Sequence, residues 1–363
     1  MRVRYILLLL ALAALGYLLL WPTGHDFGAF APEEAPALSP ALAGDTRLDG
    51  LRRTATLSEG PEDVALDGRG DVYTGTADGH LYVLARGHDD WRAITLTYGR
   101  PLGLAFDPSG RWLYVADGER GLMRTDREGH LERIVDTTAD GRDLGLVDDL
   151  AVAPDGTVYF TSASDNWALA DYEGAALAHD RTGRLFRYTP QTRALEVLAD
   201  GLAFANGVAV APDADAVYVA QTTDYSVLRF PLAADGSVGA AERFAERLPG
   251  FPDGLSFDDA GRLWVALVGE RDGRLDAMAP YPWLREAVYK LPEGFKPRPK
   301  YRASVVALGA GGRIVDRLGS SGDDDAYRGI TNAVWRGDTL WVGSLVERSV
   351  AWAVIGAREP TER

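Results

Sequence analysis

Pro252-Asp253-Gly254-Leu255-Ser256-Phe257, followed by the turn Asp258-Asp259-Ala260-Gly261 and the apolar run 263–265, decides the fold, because the chain repeats the phrase six times. The other copies open Pro61-Glu62-Asp63-Val64, Pro101-Leu102-Gly103-Leu104, Val147-Asp148-Asp149-Leu150, Ala205-Asn206-Gly207-Val208 and Ile330-Thr331-Asn332-Ala333. Each copy runs into a short turn of Asp, Pro or Gly, the residues that tight hairpins require. Each turn leads into β-branched and aromatic residues, which favour strands. Third and fourth strands follow in most units, as at 185–188 and 195–198. Four short antiparallel strands repeated six times predict an all-β, six-bladed β-propeller. The last unit shows only three strands after Ile330, so 53–57 is expected to supply the fourth and remove an open sheet edge.

Composition sets the outer limits. Apolar content of 46% and charge of 25% are those of a folded protein. A formal charge of −15 argues against a nucleic-acid partner, whose phosphates need a basic face. Without cysteine there is no disulfide, thiolate zinc site or cysteine nucleophile. No Gly-x-Ser-x-Gly elbow supports a serine hydrolase. His25, His80, His88, His130 and His179 fall in the linker, turns or insertions and are expected to be solvated.

Residues 5–21 are an uninterrupted apolar run behind Arg2 and Arg4. The run is at the short end of the roughly 17–25 residues that span a bilayer. A retained single-pass transmembrane helix (a signal-anchor) is expected over a cleaved signal peptide, because Ala41-Leu42-Ala43 lies too far downstream for cleavage. Arg2 and Arg4 put the N-terminus in the cytoplasm and the large domain on the periplasmic or other extracytoplasmic side. The expected organisation is an anchor over 1–21, a linker over 22–50, the propeller over 51–357 and a tail over 358–363. Insertions at 165–181 and 269–302 interrupt the repeat, the second with a short helix near 281–288.

The second position of the phrase carries the chemistry. It reads Glu62, Leu102, Asp148, Asn206, Asp253 and Thr331. In a propeller the first strand of every blade lines the central channel, so Glu62, Asp148, Asn206 and Asp253 should converge. Three carboxylates together repel unless a cation sits among them. All-oxygen ligands select hard cations, and a wide multi-ligand cage favours Ca2+ over magnesium. The rival reading is that such residues only form turns or tie blades together. Asp63, Asp149 and Asn332, one position later, fit that supporting role, although Asp149 could also hydrogen-bond a ligand or a substrate water.

These stretches resemble the strictosidine synthase-like / adipocyte plasma membrane-associated protein family. The resemblance rests on Gly60-Pro61-Glu62, Arg100-Pro101-Leu102-Gly103-Leu104, Tyr114-Val115-Ala116-Asp117, Gly183-Arg184-Leu185-Phe186-Arg187-Tyr188, Phe204-Ala205-Asn206-Gly207 and Leu248-Pro249-Gly250-Phe251-Pro252-Asp253. More distantly the chain is similar to the gluconolactonase, paraoxonase and diisopropyl-fluorophosphatase propellers. The resemblance implies calcium in the central tunnel, with Glu62, Asn206 and Asp253 matching family ligands. Asp148 departs from it, standing where the hydrolytic members usually have Asn. Trp335 corresponds to the synthase's catalytic glutamate, so a true strictosidine synthase activity is not expected.

The expectation is therefore a membrane-anchored, calcium-dependent hydrolase of esters or lactones (arylesterase- or lactonase-like). A small-molecule ester or lactone would be its substrate, and Asp253 or Asp149 its base or nucleophile. The alternative is a non-catalytic propeller that binds a ligand or protein around a structural cation.

Overall fold

Turns rich in Asp, Pro and Gly cut the chain into strands too short to bury a core singly, so they stack as blades. The computed structural model describes residues 2–297, 299–323 and 325–355. Its strands form six four-stranded antiparallel sheets. Five sheets are continuous in sequence, and the sixth is closed by the N-terminal strand Arg52–Arg53. The innermost strands are Val64–Leu66, Pro101–Phe106, Val147–Val152, Ala205–Val210, Gly250–Phe257 and Ile330–Arg336. Each packs beside the next, and Val64–Leu66 returns to Ile330–Arg336, so the ring is complete.

Ring closure differs in detail from the expected 53–57 strand. Only Arg52 and Arg53 pair as strand, opposite Trp352 and Ala351. The chain then continues the edge with single hydrogen bonds from Thr54 N–H to Val350 O (2.9 Å) and from Leu57 N–H to Arg348 O (2.7 Å). Blade faces are filled by Val, Ile, Leu and aromatic side chains that point alternately to either side of each sheet. Phe160 stacks on Phe186 at 4.7 Å, and fully buried Trp264 donates its indole N–H to Asp258 at 2.8 Å.

Among the described residues five helices lie outside the strands' own framework. Helix α1 (Arg2–Leu20) precedes the ring, and a short turn of helix, α2 (Pro40–Ala43), lies in the segment that follows it. Helix α3 (Tyr172–Ala178) is in the first insertion, with α4 (Gly273–Met278) and α5 (Pro282–Tyr289) in the second. Over Val3–Leu20, α1 is long and apolar enough to cross a membrane, and none of that stretch is buried. The tail expected at 358–363 lies outside the described residues.

The expected linker is packed as a strap. Leu48 is 1% exposed within the core of the last two blades. Arg47 bridges Asp45 (2.7 Å) and Asp316 (2.6 Å), and Arg317 donates to Leu42 O and Ala43 O. Nearer α1, Phe30 stacks on His179 at 3.7 Å and His25 on Trp167 at 3.7 Å. Arg285, 1% exposed, donates to Leu177 O and Gly28 O, and burial pulls its pKa down to about 10. His179 is thereby 2% exposed rather than solvated as expected, because the strap covers it and Asp224 accepts from it at 3.2 Å.

Leu48→Ala should cost about 2–4 kcal/mol of stability, as core truncations do, read as a lower urea midpoint at unchanged slope. A wild-type midpoint would show that 22–50 is not part of the folded unit.

Candidate metal centre

At the phrase, five of the six innermost strands lose regular pairing with the strand behind them. Register slips fall between Pro101 and Gly103, Val147 and Leu150, Ala205 and Val208, Gly250 and Leu255, and Ile330 and Asn332. A bulge re-aims side chains that strict alternation would separate. Second positions then face the channel and third positions reach sideways.

All six second positions meet. Glu62, Leu102, Asp148, Asn206, Asp253 and Thr331 line one cavity of about 10 Å³, with Asp63, Asp149, Gly254 and Asn332 around them. That volume is room for roughly one water-sized sphere. Asp148 and Asp253 lie deep in the molecule with part of their surface open to the channel. Burial first, then Glu62 for Asp148 and Asp148 for Asp253, pushes both carboxyls well above the ordinary range. Among the described residues no side chain hydrogen-bonds to the Asp148 carboxylate.

Third positions tie the ring. The Asp63 carboxylate accepts from Val64 N–H (2.6 Å) and, in the next blade, from Leu104 N–H. Asp149 repeats this with Leu150 N–H (2.8 Å) and Val208 N–H (2.9 Å). The residue beside each donating amide of the next blade is glycine for a steric reason. A Cβ on Gly103 would lie 2.6 Å from Asp149 Oδ1, and one on Gly207 would lie 2.1 Å from Asp253 O. Burial pushes Asp149 up to about 7, but both its oxygens are committed to backbone N–H groups. The geometry thus gives Asp149 a tying contact, whereas Asp253 faces the cavity with Glu62 and Asp148.

Three features were not legible in the motif. The Arg100 guanidinium, 7% exposed as a residue, forms an ion pair with Glu62 and lies where only glycine fits, against Gly60 at φ +66°. Arg100 immediately precedes the second copy, and that adjacency was its one sequence signal. Tyr172 of α3 packs on the buried cluster around Leu102, and the ring of Tyr301 in the second insertion lies beside Gly329, which precedes the last copy. Burial and Glu173, with Glu62 and Asp253 behind, raise the Tyr301 hydroxyl. Trp335 lies at the other end of the channel, its ring 5.0 Å from Trp264.

A hard divalent cation fits this donor set. Its ligands would be Glu62, Asp148, Asn206 and Asp253, and buried Asn332 Oδ1 has no partner. Among the described residues no three acidic or histidine side chains are already gathered at ligand distance, and Glu62 is held on Arg100.

Comparison with known proteins agrees with the fold. The family described as SMP-30/Gluconolactonase/LRE-like region matches residues 88–292, and the strictosidine synthase-like N-terminal family matches 41–84. The adipocyte plasma membrane-associated protein of Homo sapiens is 33% identical over 316 residues, 80% of this chain and 74% of that one. Strictosidine synthase-like protein 10 of Arabidopsis thaliana is 29% identical over 349 residues, 88% of this chain and 90% of its own. A gluconolactonase from Xanthomonas campestris superposes with a TM-score of 0.61 at 19% identity, over 92% of this chain and 98% of that one. Regucalcin, a calcium-binding protein from Agrobacterium tumefaciens, gives 0.60 at 17% over 86% and 97%. At such identities the two structures establish the fold alone.

Asp148→Asn separates charge from ligation. At pH 7.5 in chelator the substitution removes one of several repelling buried carboxylates, so the thermal midpoint should rise by about 2–4 °C. In millimolar calcium the variant should gain less than the wild type. The same sign governs pH. A carboxyl whose folded pKa is raised loses stability as pH climbs from its unfolded value near 3.8 toward its folded value. Chelated wild type should therefore melt higher at pH 5.5 than at pH 7.5.

Proposed function

The chain belongs to the strictosidine synthase-like family within the SMP-30/gluconolactonase type of propeller, and from that premise we propose that it is a membrane-anchored, calcium-dependent hydrolase of lactones or esters. The observation that carries this reading is the meeting of Glu62, Asp148, Asn206 and Asp253 in one cavity at the channel's end. Bound calcium would supply Lewis-acid polarisation of the substrate carbonyl.

The chain's own side chains do the rest. Asp253, kept basic by burial among like charges, takes a proton from the water that adds to the acyl carbon. The acyl C–O bond then breaks, and the proton passes to the departing alkoxide oxygen. The hydroxyls of Tyr172 and Tyr301, both raised first by burial and further by Glu62, orient the substrate oxygen. Leu102 gives the cavity an apolar wall. The alkaloid condensation of the family's namesake is not part of the proposal, because Trp335 packs on Trp264 at the far end. The N-terminus is proposed to be cytoplasmic and the propeller extracytoplasmic, with α1 crossing between them.

A second reading is favoured by the Arg100–Glu62 pair and the small cavity: a cation that only braces the ring of a binding protein. Turnover of aryl esters and lactones by purified protein, with calcium and with chelator, decides between them. The hydrolase reading expects chelator-sensitive turnover and a loss of about 10²–10⁴-fold in Asp253→Asn with its melting midpoint nearly kept. A bracing ion instead predicts no turnover and a collapsed midpoint in that variant.

A further inference from the structure

Charge is distributed unevenly over this acidic chain. Its three lysines, Lys290, Lys296 and Lys300, fall within eleven residues of the second insertion, and Arg298 and Arg302 join them. Only Glu293 opposes them between 290 and 302, in a chain whose net charge is −15. Exposed aromatics gather in the same insertion. Outside α1 and Trp21, the exposed aromatic side chains among the described residues are Tyr98, Tyr281, Trp283 and Phe295, and the last three belong here at 52%, 58% and 77% exposure. A soluble face has no reason to combine solvated aromatic rings with a basic strip.

The membrane helix meets that strip. Helix α1 runs against α5, and Lys290 Nζ donates to Leu18 O at 3.2 Å, capping a carbonyl in the helix's last turn. The following residues leave no slack. Phe27 packs on Trp167 and Tyr289, with ring centres 6.3 and 6.0 Å apart, and Gly28 N–H donates to Ala178 O at 2.9 Å. The insertion belongs to the end of the ring that holds the oxygen ligands, since Tyr289 of α5 packs on the buried cluster of Leu102, which lines the same cavity. Where α1 leaves the bilayer, this end is brought against it.

We propose that the insertion 281–302 is a second membrane contact, which seats the metal-site face of the propeller on anionic lipid headgroups. Trp283, Tyr281 and Phe295 enter the interfacial layer, where amphipathic rings are favoured. Lys296, Lys300 and Arg302 lie over the phosphates, whose negative surface potential attracts basic residues next to a span. Glu270 and Glu293, the carboxylates paired with Arg302 and Lys296, are 38% and 79% exposed, so solvent and lipid phosphate compete for both cations. The surface rests on the reading of α1 as a span, and a bilayer is favoured over a protein partner because it continues the plane α1 already crosses.

The sequence itself supplies the test, since every target of a lysine-specific protease lies in this insertion. The full chain is placed in nanodiscs of phosphatidylcholine alone, in discs with roughly one third phosphatidylglycerol, and in detergent. Cleavage in the anionic discs should be roughly ten-fold slower than in either other environment, and about 0.5 M salt should restore it. A dye on Trp283→Cys, in a chain with no other cysteine, should shift to the blue only in anionic discs, while one on Ser109→Cys should not move. Equal cleavage in all three environments overturns the surface. Equal protection in both kinds of disc overturns the headgroup contact, and protection in detergent assigns the strip to a protein partner instead. A chain that does not co-elute with discs overturns the span and the surface together, whereas one that co-elutes and is cut freely overturns the surface alone.

Discussion

Carboxylates brought to one axis by a closed ring are the constraint around which the rest of this molecule is arranged. Six innermost strands must converge for the blades to close, and three acidic side chains arrive at the axis with them. The protein compensates neighbouring acids by different means. Asp63 and Asp149 receive backbone N–H groups from the next blade, which turns their charge into a tie between blades. Glu62 receives Arg100. Asp148 and Asp253 receive little from the protein, and burial with their acidic neighbours raises both carboxyls above the ordinary range. Buried charge left in this state is costly, and a fold keeps it where something else binds.

Much of this was legible in the chain because the information is local. Turn residues at fixed offsets, and strands that alternate behind them, report the blade without reference to any distant residue. The convergence of Glu62, Asp148, Asn206 and Asp253 followed from their shared register alone. What the sequence hid depends on contacts between remote segments. Arg100 reads as an ordinary residue before a strand until its guanidinium is seen on Glu62, 38 positions earlier. His179 reads as a solvated loop residue until Phe30 covers it. The segment 22–50 has the composition of a tether, yet Leu48 and Arg47 lock it to the last blades through residues near 316 and 333. Tyr172 and Tyr301 come from insertions without a period, so nothing in the pattern could bring them to this end of the ring.

The third position of the phrase shows how two readings can both hold. Glycine there is dictated by the neighbouring backbone, and aspartate there reaches that same backbone. Adjacent positions in one motif thus serve different ends, the second facing the cavity and the third holding blades in register. The bulge lets both act at the axis, since without it the two side chains would point to opposite faces of the sheet.

Closure through Arg52 and Arg53 carries a kinetic consequence. The pairing joins residues 300 positions apart, Arg52 with Trp352, across a strand of two residues. Loop closure of that length is the last contact a folding chain can make and among the first it can lose. Five blades can each form from local hairpins as the chain emerges, but the sixth waits for the C-terminus while its partner is already held near α1. The ring therefore has a seam, and slow opening of the propeller should begin there, at the junction of its two ends, before any blade comes apart.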